Sequence, residues 1–147
     1  MPMQPRSATA IWKGDGATGN GTISTLSGAL QALPYNFKAR FQSEDGKAGS
    51  NPEELIAAAH AGCFTMALSF GLSKAGHPPT QLDTTAEVSL SQGEAGFSIS
   101  GIKLITKAQV PGIDAAKFQE LAAGAKAGCP ISRALSAVPI TLEASLV

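Results

Sequence analysis

Only two cysteines occur in the 147 residues, Cys63 and Cys129, and no Cys-x-x-Cys pair is formed. That scarcity excludes a disulfide-stapled scaffold and the usual paired-thiol zinc motifs. Charge of either sign is also in short supply: 11 basic and 11 acidic residues give a net charge of zero, with no long block of one sign. A nucleic-acid footprint and a polybasic membrane patch are therefore not expected, and small molecules or protein partners are. The opening stretch MPMQPRSATA has no apolar run of the signal-peptide kind, so a cytoplasmic protein with reduced thiols is expected. Internal repeats, low-complexity tracts and domain linkers are absent, as are the P-loop and G-x-S-x-G motifs. The length suits a single domain, residues 1–147, with a real core.

What is present reads as strands, then helix, then strands again. ATAIWK and TISTLSGAL flank the loop GDGATG, and NFKARFQS alternates Phe37, Ala39 and Phe41 with Lys38, Arg40 and Gln42, which predicts a third strand. GDGATG formally matches G-x-G-x-x-G. The β-branched NGTIST that follows cannot supply the helix a dinucleotide site needs, so a hairpin loop is expected there.

Asn51, Pro52 and Glu54 form a complete helix start, and the helix is expected to run to about Lys74, ending near Gly76. Its central stretch, Leu55 to Leu72, is uncharged. Dilution by His60, Thr65, Ser69, glycine and alanine makes a helix buried on nearly all sides of a soluble protein the expectation rather than a membrane span. LDTTAEVSL and FSISGIKLITKAQV predict a hairpin, Asp114 starts a second helix ending at Gly128, and VPITLEASL a final strand. Cys129 precedes Pro130 and is expected to cap a short helix through PISRAL. The whole argues for an α+β architecture.

Read from local physics alone, Cys63 is a small buried hydrophobe in mid-helix, and Cys129, at a helix start, is the better candidate for a reactive thiol. Glu53 is surplus to the capping box, and Arg40 reads as solvated. His60 and Cys63 share a helical face, so with Cys129 they form a candidate metal set. It lacks paired cysteine spacing and an acidic fourth ligand. Phe64, Met66 and Phe70 read as core by default, or as the lining of an apolar pocket.

NPEELIAAAHAGCFTMALS and AGCPISRAL, with PYNFKARF, LDTTAEVSL, AGFSI and VPGID in the same order, resemble the OsmC branch of the OsmC/Ohr family of thiol-dependent peroxidases. The resemblance covers nearly the whole chain and departs only in a slightly long SEDGKAGS loop. It implies antiparallel sheets packed around two central helices in an intertwined homodimer. It implies reduction of organic hydroperoxides without metal, haem, flavin or other cofactor. Cys63 is then the peroxidatic thiol, Cys129 the resolving one, and Arg40 and Glu53 an ion pair beside the reacting sulfur, which reverses the local ranking of the cysteines. The implied reductant is a small dithiol or a lipoylated protein. Glu53 and Cys63 lie ten residues apart on one helix, about 15 Å along its axis, so they can share a site only across two copies of the chain. The small side chains of AAAHAG would let two such helices cross near Ala57–Ala59. The rival reading is a non-catalytic thiol redox sensor or binding protein on the same fold.

Overall fold

The computed structural model describes residues 1–147, in two compact units, Met1–Pro52 and Glu53–Val147. In the first unit, β1 (Ala8–Lys13), β2 (Asn20–Thr25) and β3 (Leu33–Tyr35) form an antiparallel sheet in that order. GDGATG is the β1–β2 hairpin loop, as its sequence requires. The Asp15 carboxylate accepts from the backbone N–H of Ala17 and Thr18 (2.9 and 2.8 Å) and from Thr18 Oγ1 (2.6 Å). These bonds hold its carboxyl below the usual range. Gly21 is required where the strands pass beneath two rings: a Cβ there would lie 2.5 Å from Tyr35 and 2.6 Å from Trp12.

NFKARFQS is not a strand. It forms a short helix, α1 (Phe37–Phe41), capped by Asn36, whose Oδ1 accepts from the Ala39 N–H at 2.8 Å. The alternation that suggested a strand spans only a few residues, and the side-chain cap decides the backbone instead.

The second unit begins with α2 (Pro52–Lys74), bounded as its start and stop signals predict. Gly76 adopts φ 88°, and the His77 N–H bonds the Leu72 carbonyl at 2.9 Å, which closes the helix with a left-handed residue. The expectation of burial on nearly all sides is not met in the single chain. One face is buried, His60, Phe64, Leu68 and Leu72 at every fourth residue, while Met66 and Phe70 are 64% and 72% exposed. The apolar run is continuous around the helix, so sequence pattern could not say which faces are covered.

β4 (Gln81–Gly93) and β5 (Gly96–Gln109) form the expected hairpin with a bulge at Ser89/Leu90. α3 (Ala115–Gly128) follows, capped by Asp114 through the Lys117 N–H at 2.8 Å. α4 (Pro130–Ala134) and β6 (Ile140–Leu146) end the chain. β6 pairs with β5 in parallel, so this sheet, ordered β4-β5-β6, is mixed rather than antiparallel. The reason is topological: the path from β5 to β6 passes through α3 and α4, and such a crossover returns the chain in the same direction. Phe64, Leu68 and Leu72 of α2 pack with Leu104 and Ala108 of β5 and with Phe118 and Ala122 of α3 in one apolar core. Cys129 sits at its edge and belongs to it. The structure is thus mixed α and β with two sheets, as expected in outline.

Candidate active site

Cys63 lies on α2 one turn after His60, partly buried, and Cys129 stands between α3 and α4, 1% exposed. The packing of α2 against the α3–α4 corner sets Cys63 against the apolar core to which Cys129 belongs, and both thiols are free. Burial pushes the Cys63 thiol above its ordinary range and the Cys129 sulfur adds in the same direction, while a hydrogen bond from the Ile131 N–H opposes both. Cys129 is the N-cap of α4, as Pro130 predicts: its Sγ accepts from the Ser132 N–H at 3.3 Å. The first turn of α4 therefore directs a backbone donor, the Ser132 N–H, at the Cys129 sulfur.

Two further residues complete the cluster. Ser132 Oγ lies 3.1 Å from Cys129 Sγ and 2.7 Å from His60 Nε2. All three are buried. Burial holds the His60 imidazole below its ordinary pKa, which favours the neutral ring. The sequence singled out His60 only as a neighbour of Cys63 on one helical face, and Ser132 gave no signal beyond its place three residues after a cap. The His60, Cys63 and Cys129 set does not converge as a metal site, and His60 Nε2 faces Ser132 instead.

The other two expected site residues are Glu53 and Arg40. Glu53 is buried in the first turn of α2, ten residues and about 15 Å along the axis from Cys63. Arg40 is exposed on α1 in the first unit, its guanidinium carbon 4.9 Å from the Phe41 ring centroid. Of the three apolar neighbours, Phe64 is core, and Met66 and Phe70 point outward. One turn beyond Cys63, a groove of about 460 Å³ runs between α2 and α3, bordered by Ala67, Gly71, Glu120, Leu121, Gly124 and Gly128.

The family model described as OsmC-like protein matches residues 44–143. The chain is 53% identical over 137 residues to Peroxiredoxin OsmC of Escherichia coli (strain K12), covering 93% of each chain. It is 35% identical over 97 residues to the organic hydroperoxide resistance protein OhrA of Bacillus subtilis (strain 168), covering 64% of this chain and 66% of that one. The crystal structure of OhrB from Bacillus subtilis superposes with a TM-score of 0.72 at 30% identity, over 94% of this chain and 97% of that one.

Proposed function

The chain belongs to the OsmC-like family, and from that premise we propose that it is a thiol-dependent peroxidase that reduces organic hydroperoxides to alcohols. The observation that carries the reading is the meeting of two free thiols, one partly accessible and one buried, from separate elements. In this mechanism the Cys63 thiolate attacks the O–O bond and releases an alcohol, leaving a sulfenic acid. Cys129 condenses with the sulfenic acid to a disulfide and water is lost. An external dithiol or a lipoylated protein restores both thiols in the reducing cytoplasm.

The raised Cys63 thiol needs a positive charge to react as a thiolate at neutral pH. Arg40 is the proposed source, with Glu53 its bidentate partner. Because Glu53 lies about 15 Å along α2 from Cys63, its contribution calls for a second copy, and the proposed enzyme is a two-fold homodimer with two composite sites. Two elements left uncovered in the single chain favour that arrangement: β1, exposed along its whole length, and the Met66 and Phe70 face of α2. α2 is long and apolar enough to span a membrane by composition. A second copy of the same helix satisfies that surface without a bilayer. The groove one turn beyond Cys63, built mostly of small and apolar residues with Glu120 at its border, has room for an organic substituent, which favours alkyl and aryl hydroperoxides over hydrogen peroxide.

Turnover tests the reading. With cumene hydroperoxide and excess dithiothreitol the protein is expected to consume many equivalents of peroxide per chain. Consumption that stops after one equivalent would instead support a thiol redox sensor on the same fold.

A further inference from the structure

His60 is fully buried, its Nδ1 has no hydrogen-bond partner, and its Nε2 is bonded to Ser132. A polar ring kept in a core with one nitrogen unsatisfied costs stability. The tautomer follows from the same fact. Protonation on Nδ1 would bury an N–H with no acceptor, so the proton sits on Nε2 and is donated to Ser132 Oγ. Ser132 Oγ, already accepting, turns its own proton toward Cys129 Sγ at 3.1 Å. Together with the Ser132 N–H at 3.3 Å, two donors converge on that sulfur, and none of the three side chains in the line is open to solvent.

We propose that the buried line His60–Ser132–Cys129 fixes the direction of disulfide reduction, making Cys63 the sulfur attacked and Cys129 the sulfur released. The inference rests on the two-cysteine reading above. The reductant thiolate attacks Cys63 Sγ, the more accessible of the pair, and the Cys63–Cys129 bond breaks. Its electron pair leaves with Cys129 as a thiolate, received by the Ser132 hydroxyl and N–H. The second thiol of the reductant then displaces Cys63 from the mixed disulfide, so that the dithiol loses two electrons and becomes a disulfide while the two cysteines gain them. Ser132 touches the departing sulfur. His60 is a positioning residue that orients the Ser132 hydroxyl.

The test starts from protein oxidised with diamide, which forms disulfides without peroxide, so it does not depend on peroxidase activity. β-Mercaptoethanol is added, the reaction is quenched with acid, and the adduct is mapped by peptide mass. The expected adduct is on Cys63. The equilibrium with dithiothreitol is then measured by free-thiol count. Ser132→Ala is expected to shift it at least about tenfold toward the disulfide, a fall of about 30 mV for a two-electron couple. His60→Leu shifts it in the same direction, and His60→Gln, whose amide N–H can replace the donor, stays within about twofold of wild type. An adduct on Cys129, a Ser132→Ala equilibrium within about twofold of wild type, a His60→Gln variant as shifted as His60→Leu, or failure of diamide to form a Cys63–Cys129 disulfide would each overturn the proposal. Loss of peroxide turnover with all of these results intact would overturn only the peroxidase reading.

Discussion

Mixing two variants that are each expected to be inactive, Glu53→Gln and Cys63→Ser, should restore about a quarter of the wild-type sites, because of where α2 places these residues. Both lie on one helix, and ten residues at the usual rise separate them by about 15 Å, several times the reach of a glutamate side chain. A site that uses both must draw them from different chains. Unfolding an equimolar mixture and refolding it together gives the two parental dimers and the mixed dimer in a ratio of about 1:2:1, so about half the dimers are mixed. In a mixed dimer the site holding Cys63 receives its glutamate from the Cys63→Ser chain, and the other site has neither residue. One site in two, in half the dimers, gives the quarter. The assay is cumene hydroperoxide consumption with excess dithiothreitol, against each variant refolded alone. A mixture no more active than the average of its parents, or a Glu53→Gln variant as active as wild type, would refute the composite site.

Four further outcomes are expected. Leu68→Ala empties a position with no solvent exposure at the centre of the α2–α3–β5 core. It should cost about 3 kcal/mol, read as a lower urea midpoint with unchanged slope. Gly124 borders the groove one turn beyond Cys63 with nothing within 4 Å of an added Cβ, so Gly124→Leu should fold well and raise KM for cumene hydroperoxide more than for hydrogen peroxide. Burial lowers the His60 pKa in the folded protein, so its stabilising contribution is complete above the unfolded value of about 6.5 and is lost as pH falls through the folded one. The difference in unfolding free energy between wild type and His60→Leu should therefore change below about pH 6.5 and be flat above it. Lys103 and Glu143 pair at 2.8 Å across β5 and β6, but with 41% and 65% of their side chains exposed, so Glu143→Ala should change stability by less than about 1 kcal/mol.

Much of the fold was legible because its signals are local. Asn51-Pro52 and Gly76 bracket α2, Asp114 starts α3, and Pro130 makes Cys129 a cap, each through chemistry within a few residues. Three features were not. The Asn36 cap outweighed a short alternation and turned Phe37–Phe41 into helix. The parallel pairing of β6 depends on a path through two helices that strand composition does not encode. At the site, local physics ranked Cys129 above Cys63 because a thiol in mid-helix has no backbone donors of its own. The structure supplies one from another segment, the Ile131 N–H at the start of α4. His60 and Ser132 were illegible for the same reason, since their 2.7 Å contact joins residues far apart in the chain.

Oxidation of Cys63 by peroxide and its capture by Cys129 are both read out by intact mass together with a free-thiol count. Reduced protein is treated with one equivalent of cumene hydroperoxide, beside Cys63→Ser and Cys129→Ser. The wild type is expected to lose about 2 Da and both thiols, Cys129→Ser to carry a sulfenic acid on Cys63 trapped by dimedone, and Cys63→Ser to show no oxidation. A wild-type protein that keeps its mass and both thiols would contradict both steps and leave Cys63 a core residue.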